Sequence, residues 1–222
     1  MIEVKNLYKS FGEQNVLSDI TCKFEDGKNN LIIGMSGSGK TVLLKCLISL
    51  HRPELGEIIY DGRDLLSLRS KELISLRQEI GVLFQGSALF DSMTVAENVM
   101  FPLRMFSNMT AKEREARMKL CLERVNLPQA LNKVPSELSG GMQKRVAIAR
   151  ALAKETPIII ADEPTGNLDS KSGREIVKLL KKVSNGKLVI VVTHNLEQIL
   201  HLATRVITMA DGRVISDNKI RE

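Results

Sequence analysis

Three features of this 222-residue sequence predict an α/β fold with a largely parallel sheet covered on both faces. Apolar strand-like runs alternate with helical stretches at both ends of the chain. The glycine-rich run Gly34–Thr41 joins a short apolar strand to a helix. The run Ile158–Ala161 delivers two acids, Asp162 and Glu163, at its carboxyl end. Strands connected through helices pair in parallel and bury both faces. Open α/β sheets place ligands beyond the carboxyl ends of their strands.

The elements follow in order. Ile20, Cys22 and Phe24 alternate with Thr21 and Lys23, a half-buried strand that Asp26-Gly27 turns. Leu31–Ile33 is a short buried strand, and 41–50 reads as a helix. Glu57–Tyr60 is a strand closed by Asp61-Gly62, and Ile80–Phe84 is another apolar run. Thr94 with Glu97, and Thr110 with Glu113, have the spacing of capping boxes, so a helix starts at each. Met118, Cys121, Leu122 and Val125 share one helical face, and Met142, Val146, Ala149 and Leu152 mark a third helix. Strand Ile158–Ala161, helix Ser170–Val183, strand Leu188–Val192 and helix Leu196–Ala203 restore the alternation. A hairpin pairs Val206–Met209 with Val214-Ile215 across Asp211-Gly212. The expected division is a core from 1–85 and 151–222, with a helical segment 86–150 inserted into it.

Composition narrows the class. With 43% hydrophobic and 26% charged residues, the chain is an ordinary globular sequence. No run approaches the ~20 apolar residues of a membrane span, and Met1-Ile2-Glu3-Val4 lacks the layout of a signal peptide. The chain is therefore expected to be cytoplasmic, with any membrane role arising through a partner. The net charge of +6 is interleaved with acids, as in Lys112-Glu113-Arg114-Glu115, so no nucleic-acid patch is expected. Cys22, Cys46 and Cys121 lie far apart among apolar residues and read as buried free thiols.

Gly34-Met35-Ser36-Gly37-Ser38-Gly39-Lys40-Thr41 matches G-x-x-x-x-G-K-[ST], the phosphate-binding loop. Its glycines let several N–H groups converge on one anion, and the helix that follows adds the positive end of its dipole. Lys40 is expected on the β- and γ-phosphates and the Thr41 hydroxyl on Mg²⁺. Asp162 suits a holder of the same Mg²⁺, and Glu163 a general base for the attacking water. Ser139, Gly140 and Gly141 open a helix and read as a second anion site, although alone they would equally be an ordinary N-cap.

The order of this loop, Gln85, Leu138–Met142, Asp162-Glu163 and His194 resembles the ABC ATPases over essentially the whole chain. The resemblance implies a P-loop NTPase, RecA-like core with an antiparallel β-subdomain and an inserted helical subdomain. It implies a homodimer that hydrolyses two ATPs, each held between one copy's loop and the other copy's Ser139-Gly140-Gly141. Phe11 then corresponds to the aromatic that stacks on adenine, and Gln85 to the glutamine that senses Mg²⁺ and the water. Asp169 corresponds to the acid of a loop communicating across the dimer, and His194 to the switch histidine at the γ-phosphate. Met142 departs from the family's usual glutamine.

Phe84–Val95, Asn98 and Phe101-Pro102-Leu103, with the Ser139–Arg145 signature, resemble the ATPases of bacterial Mla-type (MCE) phospholipid transporters. That likeness implies a peripheral subunit on the cytoplasmic face of the inner membrane, with a permease and an MCE-type protein as partners. Asp162–Ser170 instead resembles lipoprotein-release, macrolide-export and cell-division ATPases, so an exporter and a non-transport mechanochemical ATPase remain open. A nucleotide-sensing module without turnover is disfavoured by Glu163 and His194. Met93, Met100, Met105, Met109 and Met118 gather five of the nine methionines in one region, which suits either a partner groove or a small helical core.

Overall fold

The structure, a computed structural model, describes residues 1–220. Strands β1 (Ile2–Phe11), β2 (Gln14–Phe24) and β3 (Asn29–Ile33) lead into the glycine-rich loop. Helix α1 (Lys40–Leu47) follows, then β4 (Leu55–Tyr60), β5 (Arg63–Asp64), α2 (Ser70–Gln78) and β6 (Ile80–Leu83). Next come helices α3 (Val95–Phe106), α4 (Ala111–Arg124) and α5 (Gly140–Leu152). The chain ends with β7 (Ile158–Asp162), α6 (Ser170–Val183), β8 (Leu188–Thr193), the single-turn α7 (Leu196–Ile199), β9 (Arg205–Ala210) and β10 (Arg213–Lys219).

Six strands form the main sheet in the order β10-β9-β3-β8-β7-β6. Pairing is parallel from β9 to β6, and β10 joins antiparallel at one edge. The sheet separates two hydrophobic cores, and the pleat decides which residue enters which. Ile158, Ile160, Ile190 and Val192 join α1 and the four-stranded antiparallel sheet β2-β1-β4-β5. Ile159, Ala161, Val189 and Val191 join α3 to α6 on the other side. Because both faces are covered, β7 and β8 are buried at every position, which their unbroken apolar runs require. The register brings Asp162 beside Val192 and Ile33 beside Thr193, so the carboxyl ends of β3, β7 and β8 share one rim.

Several boundaries differ from the sequence reading. The sequence reads the start of the chain as β but sets no bounds for β1, because its buried residues Ile2, Val4 and Leu7 break period two. An irregularity between Val4 and Leu7, with Asn6 at φ 46°, supplies the extra residue. β2 begins well before Ile20. α2 was not expected: only Leu76 of its nine residues is buried, so it has almost no apolar stripe. α1 stops at Leu47 rather than residue 50. Ser49 turns left-handed at φ 56°, and the N–H groups of Ser49 and Leu50 close on the carbonyls of Cys46 and Lys45. The helix expected from Leu196 to Ala203 is one α turn continued by a 3-10 turn at Leu200–Leu202. Both capping boxes form: Thr94 N–H donates to Glu97 at 2.9 Å and Thr110 N–H to Glu113 at 2.7 Å.

Candidate active site

The glycine-rich loop is set by backbone crowding. Gly34 has φ 155°, and a Cβ there would lie 2.2 Å from the Met209 carbonyl. Gly39, at φ 95°, would meet Leu17 and the Val16 carbonyl within 3 Å. Only glycine fits at either point. Lys40 opens α1, and its Nζ donates to the carbonyls of Gly34 and Met35, each at 2.8 Å, and more weakly to Ser38 Oγ at 3.4 Å. Burial lowers the pKa of this ammonium, while the charges of Glu163 and Asp162 oppose the shift.

The two acids at the end of β7 have different surroundings. Asp162 Oδ1 accepts the Thr41 hydroxyl at 3.1 Å. Burial raises its pKa, and the Thr41 hydrogen bond works against that. Glu163 leaves the strand with φ 45°, which turns its carboxylate toward the end of β8. Its Oε2 accepts the Thr193 hydroxyl at 3.0 Å. Its Oε1 accepts the His194 backbone N–H at 3.0 Å and lies 2.8 Å from His194 Nδ1. That distance is a hydrogen bond when Nδ1 carries the proton. The His194 side chain is 64% exposed and Glu163 only 10%, so the pair spans the wall from interior to solvent.

These groups converge. A cleft of about 600 Å³ is lined by Ser36, Gly37, Gly39, Lys40, Thr41, Gln85, Glu163 and His194, with Gln14, Val16 and Val42 completing it. Gln85 comes from just beyond β6, Glu163 from β7 and His194 from β8. Gln14 and Val16 were missed in the sequence. They lie on β2, and nothing in their local pattern signals that the antiparallel sheet closes over the loop.

Other anticipated residues stand apart from this lining. Phe11 is 45% exposed at the end of β1, edge-on to His51 at 5.1 Å and under Lys9. Ser139 caps α5, accepting the Met142 N–H at 3.3 Å. Gly140 and Gly141 pack beside Leu168 and Ser172, at the start of α6. Asp169 caps α6, accepting the N–H groups of Lys171 at 2.9 Å and Ser172 at 3.0 Å; its bonds from Ser172 lower its pKa. Met142 is half-buried against the helical core.

The site fits a magnesium nucleotide on its own chemistry. The loop is a concave backbone cradle with a lysine ammonium at its base. Thr41, Asp162 and Gln85 offer oxygen donors alone, the set a hard divalent cation takes. A water beside Glu163 would meet a carboxylate that His194 and Thr193 hold in place.

Comparison with known proteins places this arrangement. The profile of the ABC transporter family matches residues 17–166. An uncharacterized ABC transporter ATP-binding protein of Methanocaldococcus jannaschii is 42% identical over 221 residues, 97% of this chain and 98% of the relative. Methionine import ATP-binding protein MetN 2 of Bacillus cereus is 40% identical, over 98% of this chain and 65% of the relative. Among solved structures, the dimeric post-hydrolysis ATP-binding cassette MJ0796 bound to ADP and Pi matches with TM-score 0.91 and 39% identity over 100% of both chains. CbiO1 of Clostridium perfringens, part of the ABC transporter complex cbiONQ, matches with TM-score 0.89 and 29% identity, over 98% of this chain and 88% of that one. The fold is thus that of a P-loop NTPase, and the chain belongs to the ABC transporter family as an ATP-binding ATPase subunit.

Proposed function

We propose that two copies of this chain hydrolyse ATP at a shared interface and drive a membrane-embedded permease. The convergence of Lys40, Thr41, Gln85, Glu163 and His194 on one cleft carries the reading. The position of Ser139–Gly141 outside that cleft supports the two-copy form, since a second chain can bring its own Ser139 to the open side. The likeness to a dimeric cassette bound to ADP and Pi supports it further.

In this reading the loop amides and Lys40 hold the β- and γ-phosphates. Thr41, Asp162 and Gln85 hold Mg²⁺, which when bound neutralises charge on the phosphate oxygens. Glu163 takes the proton of the attacking water as its oxygen bonds to the γ-phosphorus. The bond from that phosphorus to the β–γ bridging oxygen breaks, and ADP leaves with the electron pair. His194 holds Glu163 through Nδ1 and lies exposed at the mouth, able to face the γ-phosphate. Phe11 serves the adenine from the rim, and Asp169 serves the contact between copies.

No helix among the described residues is long and apolar enough to cross a membrane, so the membrane step falls to a partner. A groove of about 510 Å³ between α2, β6 and the ends of α3 and α5 suits a permease segment; Ile74, Phe84, Pro102 and Phe106 give it an apolar floor. It adjoins the Gln85 loop, which would tell the permease whether nucleotide is bound. The subunit would then sit peripherally on the cytoplasmic face. The 86–150 segment is assigned as the helical subdomain and the rest as core. A phospholipid is the proposed cargo, with an MCE-type protein as further partner, on the Phe84–Leu103 and signature likeness alone. The methionine-import relatives name a different cargo class, and transfer of labelled lipid by the reconstituted transporter decides between them.

Glu163→Gln tests the chemistry. The variant should bind ATP, accumulate as an ATP-dependent dimer in size-exclusion chromatography, and lose at least about 100-fold in kcat. Turnover at the unmodified rate would remove Glu163 from the mechanism.

A further inference from the structure

The loop carrying Gln85 is held in a conformation it would not adopt alone. Ser87 and Ala88 lie in succession at φ 62° and 47°, in the left-handed region that side chains disfavour. Four carbonyls of this short stretch are gripped by two cations of α5. Lys144 Nζ donates to the Phe84 carbonyl at 3.3 Å and to the Gln85 carbonyl. The Arg150 guanidinium donates to the Ser87 carbonyl at 3.0 Å and the Ala88 carbonyl at 2.7 Å. Lys144 is buried to 7% exposure on α5. A buried ammonium needs partners, and these two carbonyls are the hydrogen-bond partners it has among the described residues. Further along, Asn98 fastens the same connection from α3: its amide accepts the Phe90 N–H and donates to the carbonyls of Phe90, Met93 and Thr94.

The helix that supplies both cations is the one Ser139 caps. The Gln85 loop is therefore bolted to the element that presents the Ser139–Gly141 segment. We propose that Lys144 and Arg150 are positioning residues: they hold Gln85 in the cleft and make the Gln85 loop and the signature helix move as one body. This rests on the reading that Gln85 serves hydrolysis. Its consequence is that a nucleotide gripping a partner's Ser139 also shifts that partner's Gln85, which links the two cleft openings of a dimer through α5.

The test uses the full chain with Mg·ATP. Lys144→Met should lower kcat about tenfold while leaving the KM for ATP within about twofold, and Lys144→Arg should recover most of the loss. In a Gln85→Ala background, Lys144→Met should add less than about twofold, because the group it positions is gone. A full further tenfold loss there would overturn the proposal. Hydrogen exchange of amides 86–93 reads the clamp independently of turnover: exchange should quicken about tenfold in Lys144→Met and in Arg150→Met, and unchanged protection would also overturn it. Wild-type turnover in Gln85→Ala would instead remove Gln85 from the reaction, while the exchange result still decides the clamp. Should Lys144→Met fail to fold, Lys144→Gln keeps a donor without the charge and carries both measurements.

Discussion

In the proposed mechanism Lys40 serves both loop and ligand. Its ammonium rests on two loop carbonyls, so its removal strips the cradle as well as the proposed phosphate contact. Lys40→Ala should weaken ATP binding about 100-fold, or ~2.7 kcal/mol, measurable by calorimetry; unchanged affinity would contradict the assignment. The cysteines behave oppositely, as groups kept out of chemistry. Burial pushes the Cys22 and Cys46 thiols up to about 12 and raises Cys121 as well. At pH 8 the first two therefore stay as thiols, the unreactive form. A disulfide reagent should react slowly with the folded protein and titrate all three thiols after denaturation. Their buried, free state was legible in the sequence, because each lies far from the others among apolar residues. The left-handed turn of Glu163 was not legible: Asp162-Glu163-Pro164 contains no glycine to announce a positive φ.

At the scale of elements, two hydrogen bonds at helix ends make separable predictions. Tyr60, on β4, is fully buried and its hydroxyl donates to the Leu47 carbonyl at 2.7 Å, satisfying the last turn of α1. Tyr60→Phe leaves that carbonyl without its partner and should cost about 2 kcal/mol of stability in denaturant unfolding. Ser139 caps α5 at an exposed position. Ser139→Ala should lose about 1 kcal/mol, keep the affinity of the copy's own cleft for ATP, and still abolish most turnover if the hydroxyl serves a partner's nucleotide. Elements with strong caps or long apolar runs, such as α3, α4, β7 and β8, could be placed from sequence. β1 and α2 could not, because an extra residue hid the period of one and the other buries almost nothing.

For the whole molecule, the shared-site reading predicts complementation. Lys40→Ala and Ser139→Ala chains should each be nearly inactive alone. A mixed dimer assembles one site from two intact halves, so mixing should restore up to about half of wild-type turnover in the heterodimer fraction. Absence of any recovery would argue against sites shared between copies. Coupling to the membrane should fail separately from chemistry. Met105 and Phe106 are 59% and 44% exposed, Phe106 against the apolar groove. Changing both to Asp should abolish co-purification of the permease and leave ATP binding within about twofold; retained co-purification would move the docking surface elsewhere.

Local patterns in the chain specify the α/β class, the glycine-rich loop, the acids after β7 and the histidine after β8. Each is written locally, as a glycine spacing or as a polar residue ending an apolar strand. Long-range packing sets the rest: β2 closes the cleft, His194 and Thr193 grip Glu163, and α5 clamps the Gln85 loop. Those are contacts between segments far apart in the chain, and their partners are chosen by how the sheet and helices pack rather than by any neighbouring residue.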